Sequence, residues 1–456
     1  MSQREERSLR WLSVGLISLI AFETLAVATA MPTVVHALRG ENLYALAMGV
    51  VMAAQLMTTV IAGPWSDSRG PQSCLYTGVI LFAAGLLIAT FSPTMESFVL
   101  GRTIQGLGGG LCVVPLYTLI GNHIQPERQP SFFAAFAAAW VLPALVGPAI
   151  AGLIVAHASW RYVFGIVPAL LVLAFPSLVV ATKKLPHLPR AALAPAAGKR
   201  SLLAIGAGCS VGALQVLSGT DEHFTPLTFV LIALAGAATV ALIRPLLPHH
   251  TLTAGRGLPA TILVRGITNG TFVGVETFLP LLLQEIHGWN PTQAGIVLTV
   301  GSVTWAIGSG IAGRITLAHQ RAQLPITGAF VQLLGILIAL LGTQPHVTGG
   351  VVVIGWTLSG FGIGLLYPTM TVHALGMTAP EFHGRTSSAL QLADTLGAAL
   401  CVAFAGIVYA LLQGNPHVAF AGAIALMAFV MAGGTAVVHR ISPLPGSEEA
   451  QQLAAS

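Results

Sequence analysis

Apolar runs of about 20 residues recur along this chain from end to end, each long enough to cross roughly 30 Å of hydrocarbon as an α-helix. Fourteen can be placed, at 11–35, 43–63, 73–92, 97–121, 131–156, 162–181, 202–219, 227–247, 260–284, 292–312, 323–343, 348–373, 386–412 and 417–438. The composition agrees: of 456 residues 55% are hydrophobic and 8% charged, against about 25% charged in an ordinary soluble domain. The longest polar connection, 182–201, is too short to hold a soluble domain. These features describe an all-α, multi-pass membrane protein.

The formal net charge of +5 invites a nucleic-acid reading, but the placement of the 20 Lys and Arg argues against it. With the amino terminus in the cytoplasm, sixteen lie on the inner side, among them Arg7, Arg10, Lys183, Lys184, Arg190, Lys199, Arg200, Arg244, Arg256, Arg314 and Arg321. Only Arg39 and Arg161 fall outside, while Arg102 and Arg265 lie in or at the edge of spans. This is the asymmetry that sets membrane orientation, and it predicts an even number of spans with both termini cytoplasmic. Cys74, Cys112, Cys209 and Cys401 sit singly in apolar segments, so neither a disulfide framework nor a metal site is expected.

Compared with itself at an offset of 254, the chain repeats: GRTIQGLGGGL (101–111) meets GWTLSGFGIGL (355–365), and AGLIVA (151–156) meets AGIVYA (405–410). At an offset of 253, Glu23-Thr24 meets Glu276-Thr277. Ordered matches at nearly one offset predict two homologous halves. Six spans and a linker are shorter than the offset, leaving room for two further helices between the halves. The expected organisation is a six-helix bundle at 1–181, a linker with two extra helices at 182–256, a second bundle at 257–440 and a tail at 441–456. Parallel halves with a site at their interface are a transporter architecture.

Three carboxylates lie well inside spans: Glu23, Glu276 and Asp394. A charge at the bilayer centre is unfavourable by about 2.5–3.5 kcal/mol on insertion scales, so each needs a reason. A carboxylate in a low-dielectric site binds and releases protons closer to neutral pH than one in water. When ionised it also attracts a cation, so proton and cationic substrate can compete for it. The structural alternative is a neutral carboxyl bonded between helices. Arg265 and Glu276, eleven residues apart, share a helix face about 16 Å apart. They can line one cavity without pairing, or Arg265 can reach the membrane edge. Trp140, Phe272, Phe278, Trp305, Trp356 and Tyr367 are candidates for a cavity wall or for lipid-facing packing.

GPWSDSRGPQ (63–72) resembles the helix 2–3 signature of the major facilitator superfamily, with Gly63, Asp67 and Gly70 in place. Ser68, Pro71 and Gln72 stand where basic residues are usual, and Arg69 is one place off. GRTIQGLGGG (101–110) is similar to the superfamily's fourth-helix motif at Arg102, Gln105, Gly106 and Gly108. VGPAIAG (146–152) resembles the fifth-helix antiporter motif, keeping Gly147, Pro148 and Gly152, and SWRYVFGI (159–166) resembles the opening of helix six in many drug exporters. Glu23 stands where the fourteen-helix drug:H+ antiporter branch has its first-helix acid.

The resemblance implies a major facilitator fold of two six-helix bundles plus two central helices. It also implies proton-coupled export of amphipathic or cationic small molecules at the plasma membrane, by a monomer that needs no cofactor. Glu23, Glu276, Asp394 and Arg102 are then the proton-coupling and substrate residues. Gly63, Asp67, Arg69, Gly70, Gln105, Gly106, Gly147, Pro148 and Gly152 belong to gating motifs. Arg102 is on this reading a fixed charge beside an acid; on the other it snorkels to the interface. Gly147-Pro148 removes a helical hydrogen bond and permits a kink. The same fold also serves carriers of lipids, siderophores or single metabolites, and a membrane-embedded sensor is a further alternative. No Walker sequence or nucleophile triad is present, which disfavours both an ATP-driven pump and an enzyme.

Overall fold

The protein is described by a computed structural model covering residues 3–40, 43–183, 185, 197–218, 225–289, 291–315, 318–412 and 414–442. Most of the polar connection, Lys184 and Arg190 included, and the tail from 443 onward lie outside the described residues. Within them are sixteen α-helices. The first part of the chain forms α1 (Gln3–Leu38), α2 (Tyr44–Arg69), α3 (Pro71–Thr90), α4 (Met95–His123), α5 (Gln129–Ala138), α6 (Val141–His157) and α7 (Trp160–Lys183). Next come α8 (Ala197–Ser218) and α9 (Pro226–Ile243). The remainder forms α10 (Leu258–Glu276), α11 (Leu279–Glu285), α12 (Pro291–Ala312), α13 (Ala318–Leu341), α14 (Gly349–Gly376), α15 (His383–Leu411) and α16 (Pro416–Val437). Ten helices among the described residues are long and apolar enough to cross a membrane.

Two predicted spans are each broken in two, and proline accounts for both breaks. Pro143 has no N–H to give the carbonyl four residues back, Ala139, and the chain turns at Ala139-Trp140 between α5 and α6. Ser18 of α1 donates its hydroxyl to that freed carbonyl at 3.0 Å. Pro280 stands in the same relation to Glu276, and the chain turns at Thr277-Phe278 between α10 and α11. Gly147 and Pro148 lie inside an uninterrupted α6, so the break in that span sits seven residues before the expected kink.

Hydrophobic burial cannot drive helices together in lipid, so close contact depends on small side chains. The repeat marks where this happens. Gly106 of α4 faces α2, where a β-carbon would lie 2.5 Å from the Val51 carbonyl oxygen, and Gly101 abuts Ala89 of α3. Their counterparts at offset 254 do the same: Gly360 of α14 abuts Gly301 of α12, and Gly355 abuts Ala339 of α13. The sequence repeat is therefore a structural one. One buried apolar cluster draws mainly on α1 and α3–α7, and a second on α10–α16. A third joins α2, α8 and α15. The first and last parts of the chain meet where α2 packs on α15 and where α5 packs on α12 and α14.

Gly106→Leu is expected to cost about 1–3 kcal/mol by forcing α4 off α2, seen as a lower unfolding temperature in detergent. Gly109→Ala, whose β-carbon would meet nothing nearer than 3.8 Å, should leave that temperature close to the native one.

Candidate functional site

Glu23 and Arg102 are brought together by the packing of α1 against α4. Both are buried, at 2% and 4% exposure, and they form a direct ion pair. The guanidinium Nη1 that bonds Glu23 Oε1 also donates to Gln105 Oε1 at 2.7 Å, one turn further along α4. Arg102 therefore does not snorkel to an interface; it is enclosed. Two donors in the cluster, Arg102 Nε and Gln105 Nε2, are buried without a hydrogen-bond partner among the described residues. Spare donors beside a buried acid are places for a water or a ligand's acceptor atom.

Glu276 ends α10 at the position matching Glu23. The neighbouring threonines repeat the correspondence, since Thr24 donates to the Ile20 carbonyl at 2.9 Å and Thr277 to the Val273 carbonyl at 2.8 Å. The surroundings differ. At offset 254 the counterpart of Arg102 is Trp356 and that of Gln105 is Ser359. Trp356 is fully buried and stacks on Phe272 with centroids 4.3 Å apart. Glu276 is half-buried, with no ion-pair or hydrogen-bond partner given by any described residue. Phe272, one turn before it, also meets Trp305 edge-on at 5.1 Å, and Trp305 meets Tyr367 at 5.4 Å. Of the six candidate aromatics, these four form one chain of rings. Phe278 instead meets Tyr409, and Trp140 is 41% exposed.

Arg265 does not reach out to solvent or lipid. It is fully buried and bound to Asp394 of α15: Nε lies 3.1 and 3.0 Å from the two carboxylate oxygens and Nη2 lies 2.9 Å from Oδ2. Tyr367 donates its hydroxyl to the same Oδ2 at 2.6 Å, and Arg265 Nη1 bonds Thr371. The guanidinium carbon stands 3.9 Å from the Tyr367 ring centroid and 5.9 Å from that of Tyr117 on α4. Sequence reasoning missed Tyr117 and Thr371. The signal available was the arginine itself, which at that depth requires partners on facing helices.

Asp67, near the end of α2, is 5% exposed. Its carboxylate accepts the backbone N–H of Gly384 at 2.7 Å and of Arg385 at 3.0 Å, the free donors at the start of α15. The Arg385 side chain adds a contact at 3.6 Å. Gly63 allows this approach, because a β-carbon there would stand 2.8 Å from the Gly384 carbonyl oxygen. Ser388 donates to the Thr59 carbonyl at 2.6 Å. Gly70, with φ +95°, makes the turn into α3, and Arg69 is exposed. Gly152 lies in α6, away from this contact.

The family model described as Major Facilitator Superfamily matches residues 12–275 and 261–454. The chain belongs to this superfamily. It is thus a multi-pass membrane transporter and not an enzyme. Multidrug resistance protein 3 of Bacillus subtilis (strain 168) is 25% identical to this facilitator over 416 residues, 89% of this chain and 80% of that one. A probable multidrug-efflux transporter of Mycobacterium tuberculosis (strain CDC 1551 / Oshkosh) is 24% identical over 473 residues, 94% of each chain. The crystal structure of the human organic anion transporter MFSD10 shares the fold at a TM-score of 0.71 and 15% identity, covering 96% of this chain and 100% of that one. The proton:xylose symporter XylE does so at 0.68 and 14%, covering 97% of each.

Removing one partner of a buried ion pair leaves an uncompensated charge, which costs about 3–5 kcal/mol. Arg265→Met and Asp394→Leu should each lower the unfolding temperature of the detergent-solubilised facilitator by that scale of destabilisation. The double variant should recover most of the loss.

Proposed function

We propose that this facilitator exports amphipathic, cationic small molecules across the plasma membrane in exchange for protons. Two six-helix bundles, 1–181 and 257–440, would alternate access, with the extra helices of 182–256 between them. The basic residues of the connecting segments put the Asp67 end in the cytoplasm. The observation that carries the reading is the buried cluster of Glu23, Arg102 and Gln105.

The cluster can couple two events. Protonating Glu23 removes the attraction that holds it to Arg102, and pulling α1 from α4 exposes a carboxylate that attracts a proton. Proton binding and helix separation therefore favour each other, which is the linkage an exchanger needs. Glu276 supplies what Glu23 lacks, a negative charge with no guanidinium on it and the Phe272, Trp305 and Trp356 rings nearby. An unpaired carboxylate near an aromatic cluster suits an aromatic cation once movement of the helices uncovers the rings. Asp394 is already bound at both oxygens. It enters the reading as a tie to Arg265 that loosens when the bundles reorient. Gly63, Asp67 and Gly70 would form the cytoplasmic gate with α15, and the names of the bacterial relatives support the drug-export assignment.

In everted vesicles holding an inward proton gradient, a transported cation should dissipate part of the gradient, and Glu23→Gln should abolish that response. Glu276→Gln should weaken cation binding while leaving neutral amphiphiles unaffected. Exchange that persists in Glu23→Gln would overturn the role given to that residue. A substrate panel in cells lacking their own efflux pumps tests direction: export protects the cells, and uptake of a metabolite or siderophore feeds or sensitises them.

A further inference from the structure

At the Asp67 end of the molecule α4 finishes beside the start of α15, and the two are joined by a side chain that none of the gating motifs includes. His383 is 5% exposed. Its Nε2 lies 3.0 Å from the carbonyl oxygens of both Leu375 and Thr378. Carbonyls only accept, so Nε2 carries the hydrogen. Its Nδ1 lies 2.7 Å from Oδ1 of Asn122, the next-to-last residue of α4. With a hydrogen on Nε2, that oxygen accepts from Nδ1 when the ring is doubly protonated, and a neutral ring takes the amide turned to donate its NH2. An asparagine offers a donor and an acceptor at its two ends, so it can satisfy that nitrogen in either protonation state of the ring. Gly121 permits the approach, because a β-carbon there would be 2.8 Å from Nδ1. One ring thus ties α4, the end of α14 and the start of α15 together. The next two residues, Gly384 and Arg385, give their backbone N–H groups to Asp67 on α2. Residues 383–385 therefore hold two helices of the first half at once, by separate bonds.

We propose that His383 is a positioning residue of the transport cycle: its bond to Asn122 latches α4 to α15 and keeps this end of the molecule closed independently of Asp67. α4 also carries Arg102, 20 residues before Asn122, or about 30 Å along one continuous helix. Arg102 and Asn122 thus sit on one helix, with Pro115 between them, so a movement of the whole of α4 that takes Arg102 away from Glu23 also strains the latch. The inference rests on the alternating-access part of the proposed function and on neither its substrate nor its proton.

The test is gate opening in the purified full-length protein, with the four cysteines replaced by serine and Ser387→Cys as reporter. Ser387 is fully buried and stands one helical turn beyond His383 on the same face. Asn122→Leu and His383→Leu should each speed maleimide labelling of that cysteine about five- to tenfold, the scale of one buried hydrogen bond. The double variant should be no faster than either single, and His383→Gln should restore part of the protection. Ser309→Cys, buried where α12 meets α14, should stay unlabelled throughout. If leucine exposes it by unfolding the protein, Asn122→Ser and His383→Ser carry the same comparison. Unchanged labelling in both singles, or effects that multiply in the double, would overturn the latch. No substrate or gradient is used, so that failure leaves the export reading standing, while a failed Glu23→Gln experiment leaves the latch standing.

Discussion

A charge inside hydrocarbon has to be answered by another part of the same protein, and in this chain that demand decides which helices touch. Arg102 and Arg265 are both buried, and each is met by a carboxylate from a different helix, Glu23 from α1 and Asp394 from α15. Neither pair joins neighbours in the sequence. Each can form only when the bundle around it is assembled, so the pairs specify packing that apolar contact alone would leave free. Desolvation takes back much of what such pairs contribute to stability. Their value lies in register, and in the fact that removing a proton or an attraction from one side changes the preferred geometry of the other.

The two halves use one backbone plan and two different chemistries. The glycines that bring α4 against α2 and α3 recur where α14 meets α12 and α13, and Glu276 recurs where Glu23 does. The arginine does not recur. With Trp356 in its place, Glu276 has no cationic partner among the described residues, and the buried arginine of the second half sits elsewhere, on α10 at Arg265. Shared glycine contacts with unlike charges give two acids in different settings, Glu23 inside the unbroken α1 and Glu276 at the break between α10 and α11. Glu23 is paired with an arginine, and Glu276 has no ion pair among the described residues.

Much of this was legible from the residues. Run length and composition establish helices in a membrane, the offset of 254 identifies the paired glycines, and depth in a span singles out the three carboxylates. What failed were statements about partners. Arg265 and Glu276 share a face of a straight helix, but Arg265 turns to Asp394, which is 129 residues away and invisible to any helical wheel. Gly147-Pro148 permits a kink in the fifth span but does not foretell the break at Ala139-Trp140; there Pro143 orphans a carbonyl and Ser18 answers it. Periodicity reports which side of a helix a residue occupies. It does not report which helix stands opposite.

The same limit explains why His383 drew no attention as one histidine among fourteen. A histidine in a connecting segment has a bland reading in sequence, solvated and free. Its meaning comes from convergence: an acceptor-rich turn at Leu375 and Thr378, an amide at Asn122, and Gly121 beside it, where a β-carbon would stand 2.8 Å from the ring. Asp67 reaches α15 through the backbone N–H groups of residues 384 and 385, and Gly384 is what lets it come so close, since a β-carbon there would meet the Gly63 carbonyl oxygen at 2.5 Å. The histidine reaches α4 through a side chain, which only a few residues could replace. The Asp67 contact depends on the glycines at 63 and 384 and the histidine contact on a side chain that bridges three helices, so substitution at His383 or Asn122 removes one without touching the other.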